Sequence, residues 1–104
     1  MLVAFSITPL GAGESVSGAV AEVVRLVRAS GLPNETNAMF TNVEGEWDEV
    51  MGLVKACIDR VAEVAPRVSV VVKIDHRPGH DGALTAKVAS VEKRLGERRP
   101  ADGV

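Results

Sequence analysis

The sequence predicts an α+β fold in which helices cover a sheet of four strands. Segments with an apolar residue at every second position, the period of a strand, alternate with longer segments whose apolar residues lie three and four apart, the period of a helix. Valine supplies much of the predicted core, and aromatic residues make up only 3% of the chain. Because β-branched side chains favour strands, this composition also indicates a sizeable sheet.

Length and composition indicate one globular domain. The chain has 104 residues, of which 46% are hydrophobic and 25% charged. Two domains of half this length would each be too small to bury a stable core. We therefore expect one domain over residues 1–96 and a disordered tail over residues 97–104.

Net charge and cysteine content argue against several classes of function. A net charge of −2 and the scarcity of aromatic rings argue against binding to nucleic acid. The single cysteine, Cys57, cannot form an intrachain disulfide, so we expect the reducing environment of the cytoplasm. Met1–Phe5 carries no cationic leader and is too short to span a bilayer, so we expect no membrane association.

The first part of the chain reads as a strand followed by a helix. In the strand predicted at Leu2–Thr8, the odd-numbered residues point to the core and the even-numbered residues to a polar face. Pro9–Gly13 breaks this strand. A helix is predicted over Ser15–Ser30, and Gly31 can adopt the left-handed conformation that ends it.

A hairpin is predicted at Asn34–Glu44, with its turn near Ala38 and Met39. Neither alternate set of residues in its second strand is cleanly apolar, so the facing of Thr41 stays open. Gly45 ends the hairpin, and a second helix follows. The buried stripe predicted for this helix is Val50, Leu53, Val54, Cys57, Ile58, Val61 and Val64.

The remaining elements complete the predicted topology. Val68–Asp75 is the strongest strand, with its even-numbered residues on one face, and the loop His76–Gly82 leads to a short third helix ended by Gly96. The order strand, helix, strand, strand, helix, strand, followed by a helix, predicts a ferredoxin-like βαββαβ sandwich with an additional C-terminal helix.

One face of such a sheet is expected to carry no helix and therefore to meet a second copy of the chain. This face is expected to be too apolar to remain exposed to water. Its predicted residues are Ala4, Ser6, Thr8, Val71, Lys73 and Asp75.

Two motifs suggest a metal or a phosphate, and both have simpler explanations. His76 and His80 lie four apart, but the Pro78–Gly79 pair prevents the helix that would bring them together, so a solvated loop is favoured over a metal site. Gly11–Gly13 precedes a helix as a phosphate loop does, yet it lacks the further glycine and lysine of nucleotide-binding loops, so a nucleotide is not supported and an anion at the helix start stays open.

No catalytic set emerges from the remaining reactive residues. Cys57 lies on the apolar stripe of the second helix, where a packed core thiol is favoured over a nucleophile. Lys73 and Asp75 suit an exposed ion pair or an intersubunit contact. Trp47 either lines a ligand pocket or anchors the second helix against the sheet. We therefore predict a protein that is not an enzyme and needs no metal or other cofactor.

The segment Ala38–Val50 resembles the thiamine-binding protein family, whose members carry a P-M-x-T-x-x-E-G pattern followed by D-E-V. The matching residues are Met39, Thr41, Glu44, Gly45, Asp48, Glu49 and Val50. The resemblance extends to Ser6–Gly11, Val72–Arg77 and Lys87–Glu92. The sequence departs from the family pattern at Thr36, Ala38 and Asn42.

The resemblance implies a ferredoxin-like dimer or tetramer that binds thiamine or its hydroxymethylpyrimidine part without catalysis. An aminopyrimidine needs hydrogen-bond donors and acceptors, and polar strand and hairpin residues offer both. The alternative is a regulatory or structural ferredoxin-like oligomer with no thiamine-related ligand. The predicted ligand-binding residues are Ser6, Thr8, Asn37, Met39 and Thr41.

Overall fold

The structure, a computed structural model, describes residues 1–11, 13, 16–79 and 82–97. These residues form a small α+β domain with one four-stranded antiparallel sheet in the spatial order β2-β3-β1-β4. Within this part of the chain, no helix is both long and apolar enough to cross a membrane. The elements in chain order are β1 (Leu2–Leu10), α1 (Val16–Ala29), β2 (Asn34–Thr36), β3 (Thr41–Glu44), α2 (Trp47–Ala62), β4 (Arg67–Asp75) and α3 (Ala83–Glu97).

β1 lies at the centre of the sheet and is longer than predicted. It pairs with β4 along its whole length, from Leu2 to Leu10, but with β3 only from Leu2 to Phe5. The prediction that the strand breaks at Pro9 was therefore wrong. No residue of β3 pairs with Pro9. The missing N–H of this proline therefore costs no hydrogen bond between β1 and β3.

The register of β1 and β3 decides the facing of Thr41. Val3 lies opposite Val43 and Phe5 opposite Thr41, and facing residues of an antiparallel pair point to the same side of the sheet. Since Val3, Phe5 and Val43 are all buried under α1 and α2, Thr41 points to the helix-covered face. Asn42 and Glu44 point to the opposite face, which we call the outer face.

The helices bury the core largely as their apolar spacing predicts. Gly31 has a φ of +77° directly after α1, which is the left-handed conformation predicted for it. In α2, Val64 lies beyond the helix end at Ala62 and is exposed, whereas Ala65 is buried in its place. The buried core consists of Val3, Phe5, Ala19, Val23, Val27, Val43, Val50, Val54, Cys57, Val61 and Ala65.

Gly45 is favoured by close packing rather than by an unusual backbone angle. A Cβ at this position would lie 3.1 Å from Val50 Cγ2 and 3.3 Å from Leu32 Cδ2. The glycine therefore lets the start of α2 approach Leu32, directly after β3 ends. Its backbone also bonds the chain start, because Gly45 N donates to Met1 O over 3.0 Å.

The third helix meets the outer face of the sheet, which the sequence predicted to be bare. Both carboxylate oxygens of Glu44 accept backbone N–H groups at the start of α3, from Gly82 over 3.1 Å and from Ala83 over 2.6 Å. These N–H groups have no partner within the helix, so Glu44 caps it. α3 thus covers the β3 end of the outer face.

Most of α3 extends beyond this contact. Its apolar residues Val88, Val91 and Leu95 are each more than half exposed. The helix continues past Gly96, which was predicted to end it, to Glu97. Residues 98–104, the rest of the predicted disordered tail, lie outside the described residues.

Candidate functional site

A cavity of about 190 Å³ opens where β3 stops accompanying β1. The last pair between these strands is Phe5 with Thr41, whereas β1 continues to Leu10. The connection between β2 and β3 and one side of α1 form the other walls. The described lining residues are Phe5, Ser6, Ile7, Pro9, Val20, Val23, Val24, Thr36, Asn37, Ala38, Met39, Phe40, Thr41 and Val61.

Asn37 holds the hairpin turn that closes one end of this cavity. Its side-chain Oδ1 accepts the backbone N–H of Met39 over 2.9 Å and that of Phe40 over 2.8 Å. Its own N–H donates to Phe40 O over 2.9 Å. This is the local turn chemistry that asparagine favours. The side-chain oxygen of Asn37, a predicted ligand-binding residue, is therefore engaged within the chain. Its Nδ2 amide remains as a hydrogen-bond donor for a ligand.

The Thr41 hydroxyl faces the cavity without a protein partner. Only 8% of Thr41 is exposed, and its hydroxyl makes no hydrogen bond within the described residues. Among the described residues, no fully buried side-chain nitrogen or oxygen lacks a hydrogen-bond partner. The hydroxyl must therefore reach accessible space, and the cavity that Thr41 lines supplies it. Thr41 presents a donor and an acceptor at the rim of an apolar core.

The structure brings together four of the five predicted ligand-binding residues. Asn37, Met39 and Thr41 line the cavity. Ser6 borders it as well, although its side chain points to the outer face, opposite Val71 of β4. Met39 lies at its open edge and is 73% exposed. Thr8 is not among the lining residues, because its side chain points to the outer face, opposite Ser69 of β4, whereas its neighbours Ile7 and Pro9 point to the helix-covered face and line the cavity.

Two parts of the cavity wall were not predicted from the sequence. Thr36 and Phe40 flank the predicted residues in the hairpin and line the cavity with them. Val20 and Val24 of α1 lie at apolar positions with helical spacing, and such spacing by itself predicts core residues. Nearly half of Val20 is exposed, since the stripe of α1 is wider than the surface that β1 and α2 cover. A stripe wider than its packing surface is a signal for such a wall.

The described cavity wall carries no charge. None of its residues is acidic, basic, histidine or cysteine. Cys57 lies apart from it in the core, where burial raises the pKa of its thiol to about 11. A thiol with this pKa stays protonated at neutral pH, so Cys57 is a packed core thiol, as predicted.

The other reactive candidates lie away from this cavity. Trp47, at the start of α2, is 54% exposed and lines none of the hollows described here, so neither of its two predicted roles is observed. His76, Lys73 and Asp75 border an open hollow of about 360 Å³ on the outer face. No group of three or more metal-ligating side chains occurs among the described residues, and His80 and Asp81 lie outside them.

Comparison with known proteins identifies the family. The family model described as thiamine-binding protein matches residues 3–92. The chain belongs to the thiamine-binding protein family. Among its relatives, a UPF0045 protein of Mycobacterium bovis is 57% identical over 96 residues, which cover 91% of this chain and 94% of the relative.

Solved structures of similar proteins share the fold of this family member. A hypothetical protein of Methanocaldococcus jannaschii is 33% identical with a TM-score of 0.79, over 88% of this chain and 95% of the other. A DUF77 domain of Bacillus cereus is 30% identical with a TM-score of 0.77, over 84% and 85% of the two chains. The small α+β fold with its antiparallel sheet is thus common to this thiamine-binding family protein and its structural neighbours.

Proposed function

We propose that this protein binds thiamine reversibly, through its hydroxymethylpyrimidine part, in the cavity between β1, α1 and the β2-β3 turn. Membership of the thiamine-binding protein family supports this choice of ligand. We choose this cavity because of the Thr41 hydroxyl. Thr41 is almost enclosed, yet its hydroxyl makes no hydrogen bond within the described residues. Because this hydroxyl reaches the cavity, a ligand group can replace the water that it bonds in the free protein.

The size and charge of the cavity favour the pyrimidine ring over the thiazolium ring. A volume of about 190 Å³ is below the range of roughly 300 to 1,000 Å³ that encloses drug-sized ligands. It therefore suits one ring rather than the whole of thiamine. The uncharged wall offers nothing to offset the desolvation of a cation, so the positively charged thiazolium would remain outside.

The hydrogen-bonding groups at the cavity suit an aminopyrimidine. The Asn37 Nδ2 amide can donate to a ring nitrogen, and the Thr41 hydroxyl can accept from the exocyclic amine. Apolar walls from Phe5 and Phe40 suit the faces of an aromatic ring. The role is binding without catalysis, since the described wall supplies no titratable group for general acid or base chemistry.

The wider proposal is a ferredoxin-like domain with α3 as its additional C-terminal helix, which works in the cytoplasm and associates into a dimer or tetramer. The antiparallel strand order β2-β3-β1-β4 supports this architecture. The exposed apolar residues of β4 and α3 support self-association, because single chains seldom leave such surfaces in water.

Calorimetry with thiamine, hydroxymethylpyrimidine and the isolated thiazole tests the proposed function. Thiamine and the pyrimidine should bind and the thiazole should not. Thr41→Val keeps the side-chain shape but leaves a ligand group unpaired, which costs about 1 to 3 kcal/mol. We therefore expect a loss of affinity of about five- to a hundred-fold.

Thr8→Val provides the matched comparison, because it makes the same change on β1 outside the cavity wall. We expect this variant to bind like the wild type. Equal affinity of Thr41→Val and the wild type would remove Thr41 from the site. No heat with any of the three compounds would favour the structural oligomer instead.

A further inference from the structure

The β2-β3 hairpin carries two threonines side by side at the cavity. Thr36 is the last residue of β2 and Thr41 the first residue of β3, and the register pairs them directly. Facing residues of an antiparallel pair point to the same side of the sheet, so Thr36 shares the helix-covered face with Thr41. Both line the cavity, and because Thr36 is exposed and Thr41 buried, the pair runs inward from the rim.

The hydrogen bonds of the hairpin show that this pair is a close one. Asn37 N donates to Phe40 O over 2.9 Å, which makes these two residues a hydrogen-bonded pair. Since the two kinds of pair alternate along an antiparallel ladder, the adjacent pair of Thr36 and Thr41 is a non-hydrogen-bonded one. In such pairs the Cα atoms are about 4.5 Å apart and the side chains lie closest. The two hydroxyls can therefore reach neighbouring atoms of one ligand.

The hydroxyls of this pair are available to a ligand. Within the described residues, neither Thr36 nor Thr41 makes a side-chain hydrogen bond. The other hydroxyl of the described cavity wall belongs to Ser6, whose side chain points to the outer face, opposite Val71. The polar side-chain groups that this wall offers to a ligand are therefore the two threonine hydroxyls and the Nδ2 amide of Asn37.

We infer that Thr36 is a specificity-determining residue, whose hydroxyl donates to the ring nitrogen next to the amine of the bound aminopyrimidine. The inference rests on the proposed function and adds a partner for a further atom of the ligand. An aminopyrimidine has two ring nitrogens that accept hydrogen bonds and an exocyclic amine that donates them. The described wall offers one group for each of these positions.

The placement of the two threonines decides which atoms they contact. The amine and the ring nitrogen beside it are adjacent on the ring, as the two hydroxyls are on the hairpin. The Thr41 hydroxyl accepts from the amine, as proposed above, and the Thr36 hydroxyl donates to this nitrogen. The other ring nitrogen lies across the ring and is left to the Nδ2 amide of Asn37. A site that bonds a ligand atom disfavours a ring without that atom, so Thr36 makes the cavity selective for a pyrimidine.

Calorimetry with two ligands tests this contact. The first ligand is hydroxymethylpyrimidine, and the second is its aminopyridine analogue, in which a CH group replaces the ring nitrogen next to the amine. The readout is the ratio of the two affinities, compared between the wild type and Thr36→Val. The two ligands also differ in basicity, but this difference is the same for both proteins and cancels from the comparison.

We expect Thr36→Val to bind hydroxymethylpyrimidine roughly ten-fold more weakly than the wild type does and to bind the analogue with little change, so that the ratio falls roughly ten-fold. Thr36→Ser keeps the hydroxyl and should keep the wild-type ratio. Thr41→Val should weaken both ligands and leave the ratio unchanged, since both carry the amine. A general structural effect at position 36 would likewise change both affinities together.

Thr36→Ala should show the same fall in the ratio, which keeps the test independent of how valine packs on the hairpin. An equal ratio in the wild type, Thr36→Val and Thr36→Ala would overturn the inference and make Thr36 a solvated residue of the rim. In that case, weaker binding of hydroxymethylpyrimidine by Thr41→Val would leave the proposed function standing. No binding of hydroxymethylpyrimidine to the wild type would overturn the proposed function and this inference with it.

Discussion

Two polar side chains of one hairpin have different tasks. The side-chain oxygen of Asn37 accepts hydrogen bonds from two backbone N–H groups of the turn. The hydroxyl of Thr41, four residues later, makes no hydrogen bond within the described residues and faces the cavity. The first residue therefore keeps the wall in shape, and the second is the stronger candidate for contact with the ligand.

Cys57 adds a pH dependence to the stability of the core. Burial raises the pKa of its thiol from 9.0 to about 11, so the folded chain holds this proton more tightly than the unfolded chain. Its stabilising contribution is fully present below about pH 9 and is lost as the pH rises toward 11.

We expect the free energy of unfolding to fall by about 1 kcal/mol from this group between about pH 8 and pH 10. Urea denaturation of wild type and Cys57→Ala at both values isolates the effect, because the variant keeps the other titrating groups. A difference between the two proteins that stays constant across this range would contradict the prediction.

Among the elements, α3 is anchored at its first turn by the Glu44 side chain. It packs chiefly against β3, and the Glu44 carboxylate holds its first N–H groups. Gly79 and Gly82, which precede it, both have positive φ angles. The position of this helix thus follows from a glycine-containing loop and a carboxylate on the adjacent strand.

Glu44→Ala should loosen α3 without unfolding the sheet. The change removes both acceptors from the N–H groups of Gly82 and Ala83, and we expect the loss of a cap to cost about 1 kcal/mol. Hydrogen exchange should become faster in α3 and stay unchanged in β1 and β4. In Glu44→Gln, which keeps one acceptor oxygen, the exchange rate of α3 should lie between those of the wild type and Glu44→Ala. Equal exchange of α3 in all three proteins would show that other contacts hold it.

For the whole molecule, patterns within one element were predictable and relations between elements were not. The alternation of Val3 and Phe5 and the apolar stripes of α1 and α2 follow from local periodicity, and the structure buries them. The facing of Thr41 required the register between β1 and β3. The capping of α3 by Glu44 joins residues 38 positions apart. No local pattern encodes these contacts.

The same separation of elements implies that assembly and ligand binding can be altered independently. Val71 lies on the outer face at the centre of β4, opposite Ser6 of β1. It does not line the cavity, whose walls come from β1, α1, α2 and the β2-β3 turn. Val71→Glu would place a charge on this exposed apolar surface, and a contact between copies there would bury that charge without a partner.

We expect Val71→Glu to sediment as a single chain at micromolar concentration and to bind thiamine with the affinity of the wild type in calorimetry. Val71→Thr, which keeps the β-branched shape without a charge, is the matched control and should remain associated. An unchanged mass of Val71→Glu would place the contact between copies elsewhere on the surface. Loss of thiamine binding in a Val71→Glu variant that remains folded would show that the cavity depends on the second copy.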